Sequence, residues 1–254
     1  MDAERVLIVA AHPDDETIGA GIWMARFANR EAITIVHVTD GSPRNMSDAR
    51  AAGFHTREDY AAERRRELYA AVGLAGIRPD QCRELGFVDQ ESWRRLPELV
   101  VRIREVVAEL RPELVLTHPY EGGHPDHDAC AFAVAQVLDG AGYQEFAGYH
   151  NGPEGMVTGE FLDEPRGEIA AITLTPAERE LKAAMFSSFA TQRRILSMFR
   201  LENEKFRTAP SYDFTRPPHA GELLYERFGF ASGEEWRRSA ARALDELAKE
   251  RALV

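Results

Sequence analysis

The stretch RVLIVAAHPDDETIGAG, residues 5–21, decides the fold. Residues 5–11 form a short apolar run rich in β-branched side chains, which predicts a strand buried on both faces, as in a parallel sheet. Residues 17–27 then carry the apolar spacing of a helix. Open α/β sheets bind ligands at the carboxyl ends of their strands, so the turn between strand and helix is a candidate site. The polar side chains of this turn are His12, Asp14, Asp15 and Glu16.

A second His-Pro-Asp sequence stands more than a hundred residues later, in HPDH at residues 124–127. It also follows an apolar strand-like run, residues 113–118, and precedes a helical pattern at residues 129–138. In each copy a residue able to bind metal lies three positions after the histidine, where both can face one point. One such turn is explained equally well by capping of the helix that follows. Two of them on strands that can be neighbours favour a metal site.

AHPDDE after the first strand, with HPDHD about a hundred residues later, resembles the paired motifs of the PIG-L/LmbE-type zinc-dependent deacetylases. These enzymes remove N-acetyl groups from glucosamine-containing molecules. The resemblance covers residues 4 to about 150 and implies an α/β fold, a Rossmann-like three-layer sandwich. Its mostly parallel sheet has the order 3-2-1-4-5, with extra C-terminal strands and helices. The alternation of strands and helices in the sequence agrees with this arrangement.

In that order, strands one and four are neighbours, so both motifs flank one crevice. The resemblance implies that the metal ligands are His12, Asp15 and His127. Two imidazoles and one carboxylate leave a position for water, as in catalytic zinc sites. The same ligands accept Fe²⁺, Co²⁺ or Mn²⁺, so we expect Zn²⁺ or another divalent metal.

The same resemblance gives the catalytic residues expected around a metal-bound water, whose pKa falls to roughly 7. We expect Asp14 to act as general base and a protonated His124 to stabilise the oxyanion. Asp126 is expected to hold His124 in the required tautomer and charge state. The proton for the departing amine comes either from Asp14 or from His124, and the sequence leaves this choice open.

Three further residues are candidates for substrate binding. Arg64 lies three positions before Glu67 on a charged helix, where the family places an arginine for substrate hydroxyls or phosphate. Asp40 follows the second strand on the functional edge, although Asp-Gly is equally an ordinary turn pair. Tyr120, in the loop before the second motif, stands in a different register from the tyrosine of some family members. His118, at the end of the fourth strand, either lines the site or simply ends the strand.

The amino-acid composition limits the classes of molecule that the protein is expected to bind. The chain of 254 residues carries 31 basic and 42 acidic side chains, a net charge of −11, which argues against nucleic acid or an anionic membrane. No basic and apolar leader and no long apolar run occurs, which predicts a cytoplasmic protein without membrane insertion. Cys82 and Cys130 lack the spacing of a metal or disulfide pair. We expect a small N-acetylated substrate and leave a homo-oligomer open.

Two other functions remain open. The metal site also suits a hydrolase of some other amide, such as an N-acyl group on an antibiotic or on a small thiol precursor. A Rossmann-type binding protein or oxidoreductase without hydrolysis is the alternative from another class. The first turn lacks GxGxxG, however, and its acidic side chains repel a pyrophosphate.

The remaining pattern predicts one domain over residues 1–254, with a core at about 4–150 and an elaboration at 151–254. Residues 41–56 are expected to form a long loop on the functional edge. A helix is predicted to begin at Thr175, which starts a capping box, and to continue to Glu204. The other predicted elements are helices at 57–72 and 96–110, strands at 33–38, 83–88, 145–150, 156–162 and 168–174, and a final helix after Ser232.

Overall fold

The computed structural model describes residues 4–27, 29–138, 142–162 and 168–252. Its strands are β1 Val6–Ala10, β2 Ile33–Thr39, β3 Cys82–Phe87, β4 Leu114–Thr117, β5 Gln144–Phe146, β6 Tyr149–Gly152, β7 Gly155–Thr158, β8 Ile169–Thr173 and β9 Asn203–Thr208. Seven of them form one sheet in the order β3-β2-β1-β4-β5-β9-β8. The pairs among β1 to β5 are parallel, which confirms the predicted order 3-2-1-4-5. β9 and β8 extend the sheet in antiparallel pairing, while β6 and β7 form a separate hairpin.

Helices cover both faces of the sheet, as the predicted sandwich requires. They are α1 Asp15–Arg26, α2 Ser47–Ala51, α3 Arg57–Leu74, α4 Leu96–Leu110, α5 Pro125–Leu138, α6 Pro176–Ser187, α7 Arg193–Leu196, α8 Leu224–Arg227 and α9 Gly233–Ala252. Alternate residues of β1 enter two separate cores: Leu7 packs with α4, α5 and α9, and Ile8 packs with α1, α3 and α6. β1 is therefore buried on both faces, as its sequence predicts. No helix in these described ranges has the length and apolar character to cross a membrane.

The two motifs meet at one edge because β1 and β4 are neighbours, with Val6 opposite Leu114. α1 begins at Asp15, directly after the first turn. α5 begins at Pro125, four residues earlier than predicted, so most of the second motif lies inside the first helical turn. The loop at 41–56 lies at the same edge and contains the short α2.

The C-terminal third differs from the prediction. The helix predicted to run from Thr175 to Glu204 ends at Ser187, and residues 203–208 form β9. β9 carries charged side chains that are buried in the core. Glu204 is accommodated there because the buried Lys182 pairs with it. The predicted strand at 145–150 is divided between β5 and β6, which belong to different sheets.

Glu204 also holds the interrupted helix α1. Ala20 has non-helical backbone angles, so the helix restarts with free amides. The carboxylate of Glu204 accepts hydrogen bonds from the backbone N–H groups of Ile22 and Trp23, each at 2.8 Å. Lys182 donates to the same carboxylate at 2.5 Å and to the carbonyl of Ile18 at 2.8 Å. The C-terminal strand therefore fixes the helix that carries the first motif.

Candidate metal centre and its cavity

The three predicted ligands lie together at the sheet edge, with Asp15 between the two histidines. Its Oδ2 is 3.0 Å from His12 Nδ1, and its Oδ1 is 3.2 Å from His127 Nε2. All three side chains are buried. The spacing of helix residues and the pairing of β1 with β4 together produce this arrangement.

Three compact groups of metal-binding side chains occur in the described ranges: His12, His124 and His127; His12, Asp89, His124 and Asp126; and Asp15, His118 and His127. Of the three predicted ligands, His12 and His127 belong to the first group, and Asp15 and His127 belong to the third. Asp15 contacts both His12 and His127. The Nε2 of His118 accepts a hydrogen bond from the Ala11 amide at 3.0 Å, which occupies that nitrogen. Its ring stacks on His127 with centroids 3.9 Å apart. His118 thus lines the site by supporting a neighbouring imidazole.

The donor set fits a cation. His127 Nε2 is buried and makes no hydrogen bond to the described residues, and the Oδ1 of Asp15 lies 3.2 Å from it. A buried nitrogen lone pair without a hydrogen bond, beside a carboxylate, is costly in a folded protein. A divalent metal coordinated by such atoms removes that cost.

The charges around His12 show the same need for positive charge. Burial lowers the pKa of His12, but the carboxylates of Asp89 and Asp15 outweigh it and hold that pKa well above its ordinary value. Conversely, burial raises the pKa of Asp15, while His127, His118 and His12 outweigh burial and keep it well below the usual range. The carboxylates around His12 thus favour positive charge at this ring.

Asp89 is a site residue that the sequence patterns above do not predict. It lies 3.2 Å from His12 Nε2 and 3.8 Å from His124 Nε2. Burial raises its pKa, but the nearby imidazole of His12 outweighs burial and lowers that pKa to about 2. Asp89 follows β3 at the same sheet edge as Asp14, and that position was the signal available in the sequence.

Asp14 lines the cavity beside the ligands and belongs to none of the three groups. Its Oδ2 accepts a hydrogen bond from Arg64 at 3.1 Å. Burial raises the pKa of Asp14 to about 8, against the opposing effect of the Arg64 guanidinium. A carboxyl group with a pKa in this range can take and return a proton near neutral pH.

Arg64 also lines the cavity, as expected for a residue that binds substrate. It donates to the carbonyls of Pro13 and Gly41, each at 3.0 Å, as well as to Asp14. These bonds join the first motif to the loop after β2. Arg64 is therefore tied to protein groups, and only its remaining donor capacity can serve a substrate.

The charge of the His124 ring follows from its surroundings. Burial lowers the pKa of His124 to about 3, with His12 acting in the same direction, so the ring is neutral at neutral pH. Its Nδ1 accepts a hydrogen bond from the backbone N–H of Asp126 at 3.2 Å. A neutral ring with Nδ1 as acceptor carries its proton on Nε2. A neutral His124 can thus donate one hydrogen bond through Nε2, and the protonated imidazole expected during the reaction stays a prediction.

The expected role of the Asp126 carboxylate changes. Its Oδ2 is 3.3 Å from His12 Nε2 and 3.8 Å from His124 Nδ1, so it bears on the histidine of the first motif. The carboxylate is fixed by the amides of Gln90 and Ser92, at 2.6 and 3.0 Å, and by the Ser92 hydroxyl. The hydrogen bond to His124 comes from the backbone N–H of Asp126.

Asp40 and Tyr120 do not line the cavity. Asp40 pairs with Arg57 and accepts hydrogen bonds from the amides of Ser42 and Asp89, so it is an anchor for two loops. The Tyr120 ring is buried against Trp236, and its hydroxyl donates to the carbonyl of Arg216 at 2.9 Å. Both were expected to bind substrate, and these contacts correct that expectation.

A cavity of about 460 Å³ opens from the ligand cluster. Its base contains His12, Asp15, Asp89 and His124, and its outer part is formed by the loop at 41–56 and by the segments after α7 and α8. Tyr149 also lines it, with its ring centroid 5.0 Å from that of His127. The size suits a ligand with more than one ring.

Curated relatives match about half of the chain. One is named "Probable N-acetyl-alpha-D-glucosaminyl L-malate deacetylase 2", from Bacillus anthracis, and is 39% identical over 145 residues, 54% of this chain and 61% of the relative. Another is named "1D-myo-inositol 2-acetamido-2-deoxy-alpha-D-glucopyranoside deacetylase", from Kineococcus radiotolerans, and is 36% identical over 162 residues, 53% of this chain and 44% of the relative. The chain thus spans about half of the length of these relatives.

Solved structures show the same fold over more of the chain. The zinc-inhibited form of teicoplanin deacetylase Orf2 superposes with a TM-score of 0.61 at 17% identity, covering 82% of this chain and 99% of that one. The N,N'-diacetylchitobiose deacetylase from Pyrococcus horikoshii gives a TM-score of 0.59 at 18% identity, with 82% and 85% covered.

A protein-family model matches residues 7–138, which include both motifs. This match spans more than half of the chain and contains every residue that forms the ligand cluster. The chain belongs to the PIG-L family, described as GlcNAc-PI de-N-acetylase.

Proposed function

We propose that this protein is a metal-dependent hydrolase that removes the N-acetyl group from an N-acetylglucosamine-type sugar or conjugate. The observation that carries the proposal is the position of Asp14. It lies in the cavity beside a cluster suited to a metal, but outside the groups that could hold the ion. This arrangement of ligands with a separate buried acid is what hydrolysis of an amide by water requires.

His12, Asp15 and His127 are the proposed ligands, with Zn²⁺ as the proposed metal. When bound, the metal supplies Lewis-acid polarisation of the amide carbonyl and acidifies water nearby. The contacts of the His12 ring support this assignment. The Asp126 carboxylate accepts from the Nε2 side of His12 and leaves Nδ1, the nitrogen nearest Asp15, for coordination.

Asp14 is the proposed general base. It takes the proton of the attacking water and returns it to the departing amine, a role that suits a carboxyl group whose pKa is raised to about 8 by burial. The guanidinium of Arg64 fixes the carboxylate in position. His124, neutral and protonated on Nε2, donates a hydrogen bond to the oxygen of the tetrahedral intermediate, an effect worth about 3 kcal/mol in comparable sites.

The partner in this proposal is a small N-acetylated molecule. We also propose that residues 1–254 act as one domain. β9 pairs with β5 inside the main sheet, and Glu204 of β9 holds α1, so the C-terminal third supports the first motif.

The test is to load the purified protein with Zn²⁺ and incubate it with N-acetylglucosamine conjugates and with simple N-acyl amines. We expect new primary amine and acetate from the sugar substrates only. Release from the simple amines alone would favour the non-sugar hydrolase. Absence of hydrolysis from both classes, in protein with stoichiometric metal, would contradict the proposal.

A further inference from the structure

Exposed apolar side chains stand at the mouth of the cavity. Among the described residues, only five large apolar side chains are exposed: Leu74, Val101, Ile169, Met198 and Phe228. Met198 and Phe228 are 53% and 47% exposed, and both line the outer cavity. They follow α7 and α8, two separate segments of the chain. Large apolar groups at the rim of a cavity mark a binding surface.

This apolar surface is continuous with the catalytic end. The ring of Phe230 lies 5.2 Å from that of His124, and the ring of Phe228 lies 5.6 Å from that of Phe230, measured between centroids. Ile195 lines the same cavity. The apolar wall therefore begins at a proposed catalytic residue and leads outward, so a molecule bound at His124 reaches it directly.

The charges of the outer cavity do not favour an anionic group. Arg194 and Asp48 line it with opposite charges. Inside, Arg64 is tied to Asp14. A dicarboxylate such as malate is bound best by bidentate arginine pairs, whereas Arg194 is the one basic side chain that lines this mouth among the described residues.

We propose that the substrate carries an apolar group, aryl or alkyl, attached to its acetamido sugar and seated on Phe228, Phe230 and Met198. This inference rests on the proposed function and adds the class of substituent. Aromatic rings bind such groups by edge or offset contact, and the flexible thioether of methionine adapts to their shape.

The experiment compares kcat/KM for three substrates with the same reacting group: phenyl α-N-acetylglucosaminide, the corresponding L-malate glycoside and free N-acetylglucosamine. We expect the phenyl glycoside to be preferred about tenfold, chiefly through a lower KM. In Phe228→Ser and in Met198→Ser, the preference over the free sugar falls to within about twofold. Leu74→Ser is the matched control, since Leu74 is 47% exposed but lies outside the cavity, and it keeps the preference. A preference for malate, or one that survives both substitutions, would overturn the inference.

A binding measurement separates this inference from the proposed function. Phenyl α-D-glucopyranoside has no acetamido group, so calorimetry reports its binding without any reaction. We expect binding to the Zn²⁺-loaded protein and to Leu74→Ser, with affinity about tenfold lower in Phe228→Ser. If no sugar is deacetylated but binding still depends on Phe228, the apolar site is supported and the deacetylase proposal is wrong. Equal binding by wild type and Phe228→Ser would refute the apolar site.

Discussion

The carboxylate of Asp126, in the second motif, lies 3.3 Å from Nε2 of His12, in the first. The two motifs therefore contact each other across the neighbouring strands β1 and β4. A carboxylate behind a ligating histidine fixes the ring and raises its basicity as a ligand.

Replacing Asp126 is expected to weaken metal binding although Asp126 is not a proposed ligand. In Asp126→Asn the acceptor for His12 loses its charge, and the affinity for Zn²⁺ falls by about 10- to 100-fold. Competition with a fluorescent chelator measures this affinity. Asp80→Asn, an exposed aspartate, is the control and binds like wild type. Equal affinity in Asp126→Asn would show that His12 is held in another way.

The variant Asp14→Asn tests whether Asp14 acts as a general base or as a metal ligand. We expect kcat to fall by about 10²- to 10⁴-fold while the zinc content stays stoichiometric, because the substitution removes proton transfer and leaves the ligands in place. In His127→Gln, by contrast, the zinc content itself falls. Elemental analysis and amine release on each purified variant provide the two readouts. Loss of metal from Asp14→Asn would identify Asp14 as a ligand.

Tyr120→Phe tests the corrected role of this tyrosine. Its hydroxyl donates to the backbone carbonyl of Arg216, so we expect the free energy of unfolding to fall by about 1 kcal/mol when that hydrogen bond is lost. Because Tyr120 does not line the cavity, kcat/KM should equal that of wild type. Denaturant titration and initial rates check both. A tenfold loss of kcat/KM in the folded variant would restore the original prediction.

Glu145 predicts a pH-dependent stability away from the metal centre. Burial raises its pKa to about 7, although Arg207 and Tyr212 oppose this, and Glu121 shares the same arginine. The folded state thus holds the proton more tightly than the unfolded state. The contribution of Glu145 to the free energy of unfolding is therefore fully present below its ordinary pKa, at about pH 4.5. It is lost as the pH rises through about 7, and the loss amounts to about 3 kcal/mol at most.

Unfolding of wild type and Glu145→Gln at pH 5, 6, 7 and 8 measures this contribution. The variant lacks the ionisation, so its stability should decline less across the range. Glu105→Gln, at an exposed position, provides the control and should follow wild type. Parallel curves for wild type and Glu145→Gln would contradict the raised pKa.

The sequence contains enough information for the sheet order and for the place of the site. The apolar run at β1 and the repeated His-Pro-Asp turns are local patterns, and local patterns fix strand ends and helix starts. α4 and β4 likewise occur where the apolar periodicity predicts them. The crevice follows because parallel strands bring their carboxyl ends to one edge.

Long-range partners explain what the sequence did not reveal. Glu204 and Arg207 are typical of an exposed helix, yet they lie in β9. Lys182 pairs with Glu204 in the core, and Arg207 pairs there with Glu121 and Glu145. Asp89 follows a strand with little apolar character, and its role depends on His12, far away in the chain. The neutral state of His124 depends on burial by distant segments. Each of these contacts joins residues that are far apart in the chain, so no short stretch of sequence indicates it.

The carboxylate of Glu204 accepts hydrogen bonds from two backbone amides of α1, just after its interruption at Ala20. This contact limits how the protein can be shortened. We expect that the half of the chain that matches the family model does not fold alone, because a chain cut after β5 would lack the acceptor for two amides of α1 and the strand beside β5. Shortening or grafting this protein must therefore carry residues 176–208 along with both motifs.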